Sequence, residues 1–166
     1  MKVNFTENLE RGMESLRTQG AFLIVRSGEK IDTMTIGWGN VGYVWNRPIF
    51  TVMVRKSRYT HELIENSDNF TVSIPLNKNL KSALTVCGSK SGRDIDKFKE
   101  CNLTLENSKK VDTPIISECE LHYECKIVYK QEMNSELLSN DIVESSYKDG
   151  DYHTLYYGEI VETYIK

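Results

Sequence analysis

The stretch that most constrains the fold is residues 121–130. Leu121, Tyr123, Cys125, Ile127 and Tyr129 alternate with His122, Glu124 and Lys126, and Lys130 joins the polar set. A period of two places the apolar set on one face of an extended chain and the polar set on the other, as in a half-buried strand. Such a strand needs sheet partners, and the sequence offers several. Residues 21–26 form a short apolar run, and residues 31–45 a long extended one. Residues 49–54 are continuously apolar and rich in β-branched side chains, as expected of a strand buried on both faces. Residues 70–74 are closed by Pro75, and residues 154–165 read as a last long strand.

Helical spacing is confined to short pieces. In residues 7–18, Leu9, Met13 and Leu16 share a face, and Gly20 can cap the end. Ser57 reads as an N-cap before Tyr59 and Leu63. Asn77 opens a helix in which Leu80, Ala83, Leu84 and Cys87 recur, ended by Gly88. Residues 91–98 read as a polar loop entering a helical turn at Asp94, and residues 135–146 are weakly helical. Ser27-Gly28-Glu29-Lys30 and Asp149-Gly150 are turns. The total is about six strands and three or four short helices, without βαβα alternation. This predicts a mainly β fold in one domain over residues 1–166: a closed or nearly closed antiparallel β-barrel with peripheral helices.

A chain of 166 residues with 39% apolar and 27% charged residues can bury a core without disulfide or metal staples, and is neither a disordered nor a membrane-spanning composition. The start lacks an apolar targeting segment. Cys87, Cys101, Cys119 and Cys125 form no C-x-x-C pair. Cys119 and Cys125, six apart in what reads as one strand, cannot bridge. A reduced, cytoplasmic chain is expected. The net charge of −3 lacks the basic footprint of a nucleic-acid binder.

Gly37-Trp38-Gly39-Asn40-Val41-Gly42 matches the G-x-G-x-x-G spacing. That motif needs a helix N-terminus after the glycines to hold a pyrophosphate. Here Tyr43-Val44-Trp45-Asn46-Arg47-Pro48 follows, a poor helix, so a glycine-bent strand is the better reading. Small residues here would also let a flat ligand approach closely.

Two polar loops carry the chemistry. Residues 55–60, Arg-Lys-Ser-Arg-Tyr-Thr, place three cations and three hydroxyls between a buried strand and a helix start. That suits a phosphate monoester. It equally suits a solvated turn, and composition does not separate the two. Residues 87–98 have too few apolar contacts to be held by packing alone. Gly88 and Gly92 permit close backbone approach, and Arg93 and Lys97 add donors balanced by Asp94 and Asp96. Cys87 reads best as a core-facing residue of its helix. His61, His122 and His153 lack metal-ligand spacing, and no catalytic acid, base or nucleophile stands out.

Four pieces taken in order resemble the flavin reductase-like FMN-binding proteins, in particular the flavoredoxin branch. They are Thr33-Met34-Thr35-Ile36-Gly37-Trp38-Gly39 with Arg47-Pro48; Arg55-x-Ser57-Arg58-Tyr59-Thr60; Cys87-Gly88-x-x-Ser91-Gly92-Arg93-Asp94-x-Asp96-Lys97-Phe98; and Tyr157-Gly158-Glu159-Ile160. The resemblance runs from about residue 10 to 165. It implies an FMN-binding split barrel of Greek-key antiparallel strands that forms a homodimer. It implies that Thr33, Met34 and Thr35 flank the isoalloxazine ring with Trp38 nearby. Arg55, Ser57, Arg58, Tyr59 and Thr60 would serve the phosphate and ribityl region, and Cys87, Gly88, Ser91, Gly92, Arg93 and Lys97 the loop closing over the cofactor. Family members often carry Asn or Ser where Thr33 and Gly37 stand, and Gly37 removes a hydroxyl.

The expected activity is therefore an FMN-dependent oxidoreductase taking electrons from NAD(P)H or a redox protein, with the cofactor supplying the chemistry and no catalytic side chain named. A flavoredoxin-like electron carrier without its own NAD(P)H site uses the same contacts. A small barrel binding single-stranded nucleic acid is disfavoured by the acidic charge, and no membrane partner is expected.

Overall fold

The computed structural model describes residues 3–166. Helix α1 (Leu9–Thr18) leads into strand β1 (Ala21–Ser27) through Gly20, whose φ of 95° lets its N–H close on Ser15 O at 3.1 Å. Strand β2 (Lys30–Ile36) pairs with β1 across Gly28-Glu29, a two-residue loop with Gly28 at φ 58° as a type II′ turn requires. Strand β3 (Gly39–Val44) pairs with β4 (Arg47–Arg55) across Trp45-Asn46. The predicted extended run over 31–45 is thus two strands, broken at Gly37-Trp38, and the G-x-G-x-x-G glycines lie in and beside β3, not before a helix.

The chain continues through α2 (Tyr59–Ile64), β5 (Asn69–Ile74), α3 (Lys81–Ser89), α4 (Lys97–Glu100) and the two-residue strands β6 (Leu105–Glu106) and β7 (Ile115–Ile116). It ends with β8 (Leu121–Glu132), a 3-10 turn at Ser135–Leu137, α5 (Asn140–Ser146) and β9 (His153–Ile165). Seven strands form one antiparallel sheet in the order β2-β1-β5-β8-β9-β4-β3. The two edge strands, β2 and β3, are consecutive in the chain and joined by only Gly37-Trp38. The sheet therefore rolls until its edges meet without a ladder between them. One core cluster takes side chains from six of the seven strands, including Leu23, Met34, Phe50, Val72, Tyr123 and Tyr156, and Val41 of β3 packs against it. This is the split barrel.

Strand β1 is apolar from Ala21 to Val25 because both faces are covered there. Leu23 and Val25 point into the barrel, while Phe22 and Ile24 enter a second cluster with Ala83, Leu84 and Cys87 of α3 and Leu103, Ile116 and Cys119. That second layer also changes the reading of β8. His122 and Glu124, assigned to a polar face, are fully buried. The segment over residues 105–119 covers them: Glu124 accepts the Lys109 and Lys110 N–H groups at 2.8 and 2.6 Å, and the His122 ring lies 3.0 Å from Ser73 Oγ and 3.1 Å from Cys119 O. Cys119 precedes the strand and belongs to a different cluster from Cys125.

Several predicted boundaries move. Helix α3 begins at Lys81, four residues after Asn77, and runs through Gly88 to Ser89. The residue that caps a helix after the polar loop is Asp96, accepting Lys99 N–H, and the helix starts at Lys97 rather than at Asp94. Ser57 is not an N-cap. Arg58 holds that position without a side-chain bond, because the Ser57 hydroxyl donates to Asp151 Oδ2 at 2.6 Å instead. Among the described residues, no helix is long and apolar enough to cross a membrane.

Candidate functional site

Two adjoining hollows open beside the barrel seam. The first, about 170 Å³, is walled by Met34, Thr35 and Ile36 at the end of β2, by Gly37 and Trp38 of the link, by Met53 of β4 and by His153 at the start of β9. Its walls are thioether, methyl and aromatic groups. The second, about 210 Å³, is walled by Ser57, Tyr59 and Thr60 from the β4–α2 turn, by Ser89, Lys90, Ser91 and Arg93 from the loop after α3, and by Lys97 and Asp151. Arg55 and Arg58 line both, so the two hollows are lobes of one cleft. The first lobe brings two thioethers and an indole together with two guanidinium groups, and the second is lined mainly by hydroxyl and cationic groups.

The cations are fixed by the backbone. Arg55 donates to Asp151 O at 2.6 Å and Ser146 O at 3.0 Å, with its guanidinium 5.1 Å from the Tyr147 ring centroid. Arg58 donates to Gly88 O at 2.7 Å. Arg93 bonds Ser57 O and the Glu62 carboxylate and lies over Tyr59. A guanidinium carries five N–H groups, so Arg55 and Arg58 keep donors for a guest. Lys97 differs. Its ammonium is buried, donates to Thr33 O at 2.6 Å and faces Asp32 Oδ1 at 3.5 Å.

In the first lobe, His153 Nδ1 lies 2.7 Å from the Tyr147 hydroxyl, and its ring is 5.5 Å from that of Trp38. Burial, reinforced by the neighbouring Arg55, pushes the His153 pKa down to about 4, so the ring is neutral near pH 7. Burial beside Cys101 pushes the Cys87 thiol up to about 12, which leaves it unreactive as a nucleophile. Among the described residues no group of three or more His, Cys, Asp or Glu could hold a metal ion.

Residues 14–166 match the family model described as a flavin reductase like domain. The chain belongs to the flavin reductase-like family. It is 34% identical over 149 residues to an uncharacterized protein of Archaeoglobus fulgidus, covering 90% of this chain and 73% of that one. Its structure is similar to a flavoredoxin from Methanosarcina acetivorans, with a TM-score of 0.69 and 26% identity over 89% of this chain and 68% of that chain. An FMN-binding protein from Thermus thermophilus shares the fold, with a TM-score of 0.68 and 23% identity over 87% of this chain and 68% of that one.

Of the residues that the family resemblance marks out, Met34, Thr35, Trp38, Arg55, Ser57, Arg58, Tyr59, Thr60, Ser91, Arg93 and Lys97 do line this cleft. Four others stand behind it. Thr33 is fully buried with its hydroxyl on Leu23 O at 3.0 Å. Cys87 faces the second core cluster, as its helical position predicts. Gly92 packs against Asp32 and Tyr59, where a Cβ would come within 2.8 Å of Asp32 Cγ and of Tyr59 Cδ1. Gly88 lies behind Thr35, whose hydroxyl donates to Leu84 O at 2.5 Å, and gives its carbonyl to Arg58.

Residue-level reasoning passed over Met53, Lys90, Asp151, His153 and the buried Asp32. Met53 sits in a run read as buried on both faces, while its outward side forms a cleft wall. Asp151 and His153 follow a Gly turn and join the site only through the β4–β9 ladder, in which Arg55 pairs with His153. The one local signal is a histidine opening a strand ahead of Leu155, Tyr156 and Tyr157.

Proposed function

We propose that the protein binds FMN in this cleft and acts as a flavin-dependent oxidoreductase. The observation that carries the reading is the two-lobed cleft: a lobe walled by Met34, Ile36, Met53 and Trp38, joined through Arg55 and Arg58 to a lobe bearing Lys90, Arg93 and Lys97. The first suits a planar ring and the second a phosphate monoester. The similarity to a flavoredoxin and to an FMN-binding protein supports the same reading. Bound flavin supplies hydride and electron transfer. The chain's own residues would hold the phosphate through guanidinium N–H groups, with Met34, Met53 and the neutral His153 available to the ring in the first lobe. Trp38, 48% exposed, stands at the rim, where an incoming donor or acceptor would approach.

A second copy of the chain completes the reading as a homodimer. Val44, Trp45, Val128 and Tyr129 are exposed, and the Trp45 ring lies 5.9 and 6.0 Å from Tyr129 and Tyr157. A contiguous aromatic patch of this kind favours a protein contact. Four free cysteines fit a reducing compartment such as the cytoplasm.

The deciding experiment is an absorbance spectrum of the purified protein before and after FMN addition and desalting. Retained bands near roughly 370 and 450 nm are expected. A protein that stays colourless and releases added FMN overturns the reading. Anaerobic titration with NADH and NADPH then separates an NAD(P)H oxidoreductase from an electron carrier fed by another protein. Sedimentation velocity reports the dimer.

A further inference from the structure

Beneath the cationic lobe lies a group that no contact with a cofactor would reveal. Asp32 is 3% exposed and Lys97 4% exposed, and they form the only ion pair among the described residues with both side chains buried. One oxygen of Asp32 accepts the Thr60 hydroxyl at 2.6 Å, and the other faces the Lys97 ammonium at 3.5 Å. The ammonium continues to Thr33 O at 2.6 Å. Gly92, midway along the loop after α3, is pressed so closely on the Asp32 carboxylate that no Cβ fits. One side chain of β2 therefore touches the start of α2, the middle of the loop and the start of α4, the three segments that wall the lobe.

A buried ion pair is a poor device for stability. Desolvating both charges offsets most of their attraction, and neutral replacements of similar volume are often as stable. A strut would do as well without charge. The geometric consequence is what distinguishes this pair. The carboxylate has fixed directions for Thr60 and Lys97, so it sets where the loop bearing Ser91 and Arg93 lies relative to Arg58.

We propose that Asp32 is a positioning residue for the anion-binding lobe, holding Thr60, Gly92 and Lys97 in register so that the loop meets a phosphate. The proposal rests on the flavin reading above and adds to it the residue that sets phosphate selectivity without touching the ligand.

The test compares FMN with riboflavin, which lacks the phosphate, on the wild-type protein and on Asp32→Asn, which keeps the side-chain volume and leaves every cation of the lobe in place. The expected result is a folded protein with a lowered thermal midpoint, riboflavin affinity within about twofold, and a preference for FMN over riboflavin reduced by about tenfold or more, the worth of one hydrogen bond to a charged group. Amide exchange over residues 88–97 should accelerate while β8 and β9 keep their protection. Gly92→Ala, which displaces the carboxylate without removing a charge, should lower the FMN preference in the same direction and serves if Asp32→Asn fails to fold. A folded variant that retains both the wild-type preference and slow exchange in the loop overturns the role given to Asp32. A wild-type protein with no preference for FMN overturns the flavin reading, and this proposal with it.

Discussion

Single residues decide what the cleft can hold. Arg58 reaches both lobes and has only Gly88 O as its partner, so Arg58→Ala should weaken FMN binding by roughly 1.5–3 kcal/mol and leave riboflavin nearly unaffected, as titration calorimetry would show. Equal losses for both ligands would place Arg58 away from the phosphate. Gly158 makes a different point. A Cβ there would meet Phe70 Cζ at 2.5 Å and Cys125 Cβ at 2.7 Å, both atoms of buried residues in the barrel wall. Gly158→Ala should therefore lower stability by about 1–3 kcal/mol in urea denaturation without changing flavin selectivity. The Tyr-Gly-Glu-Ile piece marks the family through packing, not ligand contact. Asp32 and His153 were illegible in the sequence for a common reason. Each gains its role from burial between segments distant in the chain, and neither periodicity nor local spacing records that.

Elements were more legible than their boundaries. The alternation of 121–129 became a strand because successive side chains of a pleated chain point to opposite faces, and the apolar runs at 21–26, 49–54 and 70–74 became strands largely covered on both faces. What escaped was the tight turn at Trp45-Asn46. Both residues have left-handed φ, 54° and 57°, as a type I′ turn demands. Asn tolerates that region and Trp rarely occupies it. The position of Trp45 is held instead by its contacts with Tyr129 and Tyr157, which are tertiary and leave no local trace. Asn46→Val should lower stability by about 1–2 kcal/mol, the usual cost of a side-chain-bearing residue held in that region, while Asn46→Gly should be neutral or slightly stabilising in the same thermal melt. Helix ends shifted because side chains chosen as caps found other partners, Ser57 with Asp151 above all.

For the whole molecule, buried histidines set an acid limit. Burial pushes the pKa of His122 down to about 4 from an ordinary 6.5. Between those values the unfolded chain takes up a proton that the folded chain excludes, so folding stability falls as pH drops through that window and levels off for this group below it. The full effect is about 3 kcal/mol for His122, and His153, with the same direction of shift, adds to it. Denaturation midpoints measured from pH 7 to 4 should show this slope, and His122→Gln should flatten it. An unchanged slope in that variant would assign the acid sensitivity elsewhere.

The meeting of β2 and β3 across Gly37-Trp38 carries one more consequence. Every other strand boundary in the large sheet is stitched by a ladder, and this one is not. The cleft sits beside that unstitched margin, so a guest can enter and leave while every rung of the sheet stays made. Occupancy time and resistance to unfolding are then governed by different parts of the chain, the loop over residues 88–97 for one and the strand ladders for the other, and either can drift over generations without dragging its counterpart along.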